Sequence, residues 1–245
     1  DGEELGGFVG ERDLAGVLAA ASVARTSALR AAEVRAALAK QPDDARTCLQ
    51  LAELLLQRPN KQPGVDALAR AVAVDADNRA GVAARAHWLK VGTCFHPIGR
   101  ANDEGLADSK ARLPLLEAWT AGDAPVYALA VRAWLEWSQV MRQWSERRER
   151  EKDRDLRLAV PADAPLRRTL AELARVGAAA PAAADARADG LLVDGMLSYY
   201  SGDYPGGIER LTAFTSGFPT HRWHAEGLRF LAINQRLLRE RDAKK

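Results

Sequence analysis

Gly195-Met196-Leu197-Ser198-Tyr199-Tyr200-Ser201-Gly202-Asp203-Tyr204-Pro205-Gly206-Gly207-Ile208 reads as the end of one helix, a tight stop and the start of a second. Gly202 is the residue to leave the right-handed region after Ser201, because a glycine pays no Cβ penalty at positive φ. Tyr204 is then expected to pack back between the two helices of the hairpin it opens. Downstream, Thr220 to Arg239 reads as a final helix with Ala225, Leu228, Leu231 and Ala232 as its buried stripe.

The same helix-stop-helix grammar recurs near the other end of the chain. Glu11 to Ala39 reads as two helices parted by the polar Arg25-Thr26-Ser27, and Gln41-Pro42-Asp43-Asp44 is a stop. Asp43 or Asp44 caps a helix from Ala45 to Gln57 with Leu51, Leu54 and Leu55 on one face. Pro59 and Pro63 break it, Gly64 to Val74 follows, and Asp75-Ala76-Asp77-Asn78 closes that helix. The stop beginning at Gln41 and the stop beginning at Asp75 lie 34 residues apart, as do Ala52 and Ala86. Such an interval is an internal repeat signal.

Composition agrees with helices throughout. Of 245 residues 48 are Ala, while Val, Ile and Thr together number 26, which excludes a mainly β protein. The 35 Lys and Arg nearly cancel the 33 Asp and Glu, so no strong field selects nucleic acid or an anionic membrane. No apolar run reaches the roughly 18 residues of a transmembrane helix, and Asp1 to Gly10 has neither the basic nor the apolar region of a signal peptide. A start without Met fits a processed precursor or a shortened chain. Cys48 and Cys94 lack the spacing of a metal motif and read as two unbonded, buried small residues.

Helical hairpins of 34 residues, with the small residue, aromatic pair and Gly-Asp-Tyr turn at Gly195 to Ile208, resemble the tetratricopeptide (TPR) family. The likeness covers about residues 11 to 91 and 188 to 240, and departs from the family at Gly207, where an Ala is usual. Its wording is most similar to repeats of bacterial envelope lipoproteins and periplasmic adaptors. The resemblance implies an all-α solenoid whose first helices line a wall for other protein subunits or peptides. It places Leu49, Gln50, Glu53 and Gln57 on that wall in one unit, and Leu192, Met196, Tyr199 and Tyr200 in the last. It also implies a periplasmic or envelope location, whereas reduced cysteines would favour the cytoplasm.

Residues 92 to 187 do not follow the period. His96 to Gly105 is a loop by its turn residues, Leu106 to Trp119 is helical with a kink or restart at Pro114, and a long helix begins at Pro125 and runs to about Leu158. On it, Trp134, Trp137, Met141 and Trp144 share one face, read as packing onto the flanking repeats, with Trp144 the member placed to meet a partner. Glu146 to Arg154 alternates acids and bases and reads as a solvated helix projecting from the body. Pro161 to Pro165 ends that helix; Leu166 to Val176 follows, and Ala178 to Ala188 is a linker or a helix start.

The expected organisation is a tail (1–10), TPR-like repeats (11–91), an irregular helical insert (92–187) and a C-terminal hairpin with capping helix (188–245). No nucleophile elbow, P-loop or EF-hand spacing occurs, and His221 with His224 is two ligands short of a zinc site. The reading is therefore a non-enzymatic interaction scaffold without cofactor or metal, a subunit of a larger envelope-associated complex. A soluble peptide-binding adaptor or chaperone, and an accessory subunit of an enzyme, are the alternatives.

Overall fold

The computed structural model describes residues 14–243 other than 59, 96–102 and 154–155, with the side chains of 14–21, 23 and 24 outside the description. The expected tail and most of the expected loop at His96 to Gly105 thus lie outside the described residues. Every regular element among the described residues is helical, so the fold is all-α. None of these helices is long and apolar enough to cross a membrane. The chain divides into two compact units, Asp1–Lys90 and Val91–Lys245.

The first unit holds α1 (Leu14–Lys40), α2 (Ala45–Leu56), α3 (Gln62–Val74) and most of α4 (Val82–Gly92). In place of the two helices expected before Lys40 there is one. Thr26 turns its hydroxyl back onto the Ser22 carbonyl at 3.0 Å, so the polar step is satisfied within the helix, and the alanines on either side favour continuing it. Asp44 caps α2, accepting from the Arg46 amide at 3.1 Å and from the Thr47 hydroxyl.

The buried face of α2 is Ala45, Cys48, Leu49, Ala52 and Leu55, with Leu51 and Leu54 only half-buried, a rotation from the expected leucine stripe. Small residues let α2 approach Leu38 of α1 and Leu68 and Ala71 of α3 closely. Cys48 is 1% exposed in that seam, and burial pushes its thiol above the ordinary range. The second stop is built differently from the first. Asp75, itself buried, accepts from the amides of Ala80, Val82 and Ala83, and Asn78 takes φ 55° and accepts from Ala84. The loop that this requires delays the next helix to Val82.

The second unit contains α5 (Asp103–Ala118), α6 (Ala124–Glu151), α7 (Pro165–Gly177), a 3-10 turn at Pro181–Ala183, α8 (Ala184–Ser201), α9 (Tyr204–Gly217) and α10 (His224–Asp242). α6 packs against α5, α7 and α8, and α8 against α9 and α10, so the stretches 92–187 and 188–245 share one core. α5 runs through Pro114 without restarting. Trp134 and Trp137 are 1% and 2% exposed, Trp134 stacked on Phe95 at 5.8 Å and Trp137 tilted against Tyr200 at 5.8 Å. Met141 and Trp144 continue the stripe half-buried.

The long helix ends earlier than expected, at Glu151, where Lys152 takes φ 53° and turns the chain back. Two bonds hold the return: the Trp144 indole donates to the Leu156 carbonyl at 3.1 Å, and the Leu158 amide donates to the Tyr200 carbonyl at 2.9 Å. The charged run from Glu146 to Glu151 is therefore the mostly exposed last turns of α6, as expected of a solvated helix, and by Leu156 the chain lies back against Trp144.

At the turn from α8 to α9, Gly202 adopts φ 82°, ψ 9° and its amide reaches the Ser198 and Tyr199 carbonyls. Asp203 then caps α9 by accepting from the Gly206 amide, and Tyr204 is buried under the guanidinium groups of Arg157 and Arg241. Gly207 has a packing reason: a Cβ there would stand 2.6 Å from Oδ1 of the buried Asn234 on α10. α10 buries Gly227, Phe230 and Asn234, whereas Ala225, Leu228 and Ala232 are exposed, Leu228 by 48%. The shift is two positions, a little over half a turn. It follows from Gly227 seating the Phe214 ring and Phe230 meeting Tyr199 at 5.4 Å.

Two substitutions probe this core. Gly202→Val forces a β-branched side chain to positive φ and should cost at least about 1 kcal/mol. Trp137→Ala should cost about 3 to 5 kcal/mol by leaving a cavity beside Tyr200. Urea unfolding of both variants measures the losses, and a midpoint unchanged from wild type in either would contradict the packing described.

Candidate functional site

Several of the wall residues suggested by the sequence are buried within their own unit. In the first unit Leu49 is 9% exposed and belongs to the core, Gln50 and Gln57 face solvent, and Glu53 is held by Arg85 at 2.7 Å. In the second unit Leu192 and Met196 are fully buried. Leu49, Leu192 and Met196 thus have no surface to offer a partner, because the helices of this chain already cover them. Tyr199 and Tyr200 are half-buried with their rings 4.8 Å apart, and Trp144 sets its edge on Tyr200 at 5.1 Å. Burial, with Tyr199 alongside, pushes the Tyr200 phenol up.

What the structure does form is a cleft of ≈ 370 Å³ beside Trp144. One wall is a stripe of α6 stepping by three and four: Glu136, Gln139, Val140, Gln143, Trp144 and Arg147. The other is the returning chain from Arg157 to Leu166, closed by Pro161 and Pro165. Eleven steps of 1.5 Å from Glu136 to Arg147 make the α6 wall about 16 Å long. A second hollow of ≈ 280 Å³ adjoins it, sharing Glu136 and Pro165 and bordered by Arg132, Arg168 and Thr169.

Glu136 stands where the two hollows meet. Burial raises its carboxyl above the usual range, against the opposing effects of the Thr169 hydroxyl and of Arg132 and Arg168. Its Oε2 is buried and has no hydrogen-bond partner among the described residues, a costly condition for a carboxylate oxygen. At the far end Arg147 pairs with Glu151 at 2.8 Å, while Arg157 lies over the Tyr204 ring. No carboxylate among the described residues pairs with Arg157. One end of the site thus holds Glu136 between Arg132 and Arg168, the middle mixes Val140, Trp144 and Leu166 with Gln139 and Gln143, and the other end holds Arg147 and Arg157.

A second polar cluster lies deep in the unit. Asp189 on α8 is fully buried, accepts from Arg222 at 2.8 Å and lies 3.4 Å from Nε2 of the buried His221. Nδ1 of His221 accepts from the Trp223 amide, which leaves Nε2 to carry the ring proton toward Asp189. Burial alone would raise the Asp189 carboxyl, but the Arg222 charge, with His221 and Trp134, holds it below the ordinary range. His221 is thereby committed to this cluster. Among the described residues no three His, Cys, Asp or Glu side chains converge as metal ligands do. Neither Glu136 nor Asp189 carries a local motif; the only signal in the sequence was the second stripe on α6, one step round from the tryptophans.

Removing Asp189 takes the acceptor from the Arg222 guanidinium and from the buried His221 ring, so Asp189→Ala should cost about 1 to 3 kcal/mol. Because the native carboxyl titrates below its unfolded value, its stabilisation is complete above an unfolded pKa of about 3.9 and is lost as pH falls through the native one. Denaturation series from pH 7 to 3 should show a steep acid limb in wild type that Asp189→Asn flattens. Equal limbs in the two proteins would remove Asp189 from the account.

No family model, curated protein or solved structure matches the chain.

Proposed function

We propose that this chain is a non-enzymatic protein–protein interaction scaffold with TPR-like hairpins, acting as a structural or assembly subunit of a larger complex. Support comes from consecutive short-linked hairpins, α2 with α3 and α8 with α9, which bury their small-residue faces against neighbouring helices. The left-handed Gly202 followed by the Asp203 cap has the conformation that a repeat turn requires. The observation that carries the reading is the α6 cleft, whose length and polar ends suit another polypeptide. A near-zero net charge fits protein partners better than nucleic acid. The envelope-like wording of Gly202-Asp203-Tyr204, Phe214, Phe218-Pro219 and Ala225-Glu226 supports a periplasmic or envelope setting.

The cleft also favours a second reading, a soluble adaptor that binds client peptides transiently, since a groove open at the surface needs no permanent occupant. Affinity purification of the full chain from its native cell, followed by light scattering, separates them. A subunit should emerge in a stoichiometric assembly that survives dilution. An adaptor should emerge as a monomer with substoichiometric clients. A monomer with neither would overturn both.

A further inference from the structure

We infer that the cleft along α6 accepts an acidic segment of a partner polypeptide, which sets a carboxylate against Arg157 and Arg147 and lays its main chain along Gln143 and Gln139. The inference rests on the scaffold reading and gives that reading a partner chemistry.

The helix supplies the frame. Residues four apart on α6 share a face, so its cleft wall is two parallel ridges. Glu136, Val140 and Trp144 form the inner ridge and are half-buried; Gln139, Gln143 and Arg147 form the outer one and are exposed. The Trp144 indole holds the Leu156 carbonyl, and Pro165 borders Glu136 in the adjoining hollow. The returning chain therefore runs antiparallel to α6, which places Arg157 at the Arg147 end.

Charge selects the sign of the partner. Arg147 is matched by Glu151 at 2.8 Å. At the far end Arg132 pairs with Glu117, Glu172 pairs with Arg175, and Glu136 stands beside Arg168, so neither sign is in excess there. Arg157 has no carboxylate partner among the described residues. Its side chain runs beside Gly202 and sets the guanidinium over the Tyr204 ring at 5.5 Å. A guanidinium held on a ring keeps its N–H edge free and loses little freedom when a carboxylate binds. A carboxylate is the group this end lacks.

The outer ridge points to a polypeptide rather than a small acid. No hydrogen bond among the described residues engages the Gln139 or Gln143 carboxamide, and each offers a donor and an acceptor to a peptide group. Successive ridge residues are about 6 Å apart along the helix, and alternate residues of an extended chain are about 6.6 Å apart. A segment following the ridge thus meets Gln139, Gln143 and Arg147 with every second residue. Val140 and Leu166 floor the middle, which favours an apolar residue beside the acidic one.

The test uses the full chain and fluorescein-labelled heptapeptides of alternating Asp and Val, read by anisotropy, beside the same peptides with Asn or Lys in place of Asp. The Asp peptide should bind about tenfold or more tighter than the Asn peptide, the effect of one charged hydrogen bond, and the Lys peptide should not bind. Arg157→Gln should bring the Asp peptide down to the Asn peptide and leave the latter unchanged. Arg157→Lys, which keeps the charge, should keep most of the preference. Gln139→Ala with Gln143→Ala should weaken the Asp and Asn peptides alike. All three positions are exposed, so folding survives each change.

A Lys peptide that binds as well as the Asp peptide, or Asp binding indifferent to Arg157→Gln, overturns the proposal. So does N-acetylaspartate competing at the peptide's own concentration, which would make the cleft a site for small acids. If the native assembly is recovered while no peptide binds, the cleft is excluded and the scaffold reading stands. If peptides bind as described while no assembly is found, the cleft stands and the subunit reading falls.

Discussion

The contact of Trp137 with Tyr200 sets the position of α6 on α8, and much of the second unit is arranged by it. Once that ring and Trp134 are buried, the helix has one rotational setting, and Trp144 two turns on must fall beside Tyr200. Its indole then offers a donor to the chain returning after Lys152, and the Tyr200 carbonyl offers an acceptor to Leu158. The cleft is the space left between a helix held by its aromatic stripe and a strand-like return held at alternate residues. Its polar lining sits on the α6 face adjacent to the stripe, with Glu136 half-buried and Gln139, Gln143 and Arg147 exposed.

The buried polar groups of this unit fall into two kinds. Asp189 is surrounded: Arg222, His221 and Trp134 all favour its ionised form, and the helices α8 and α10 are tied through it to the turn at His221–Trp223. Glu136 is under-provided, with one oxygen near Thr169 and the other alone. The first arrangement serves a closed core, since every charge has its counterpart within the chain. The second places a carboxyl beside a solvent-reachable hollow, where burial outweighs Thr169, Arg132 and Arg168 and favours the neutral form.

Much of the fold was legible because certain residues permit few conformations. Gly202 and Asp203 announce a turn whatever surrounds them, and Asp44 announces a helix start. The polar step Arg25-Thr26-Ser27 misled because a threonine hydroxyl can be satisfied by the carbonyl four residues back without breaking anything. The stripe of α10 was misread because Gly227 looks like a breaker and Asn234 like surface, although the glycine makes room for Phe214 and the asparagine faces Gly207. The cleft was hardest to see. Its two walls are read only once the helix is known to stop at Glu151, and an alternating charged run pairs as well inside a helix as outside one.

The seam between α2 and α3 carries one further property. Cys48 is shut away there by alanines and leucines, with its thiol held in the protonated form by burial, so a reagent that attacks thiolates meets nothing to react with while the helices are together. When they part, the thiol is both uncovered and returned to its ordinary acidity. Chemical labelling at that sulfur therefore clocks the opening of the first unit by itself, in a chain whose second unit may be folded, occupied or assembled, and it does so with a probe the protein already contains.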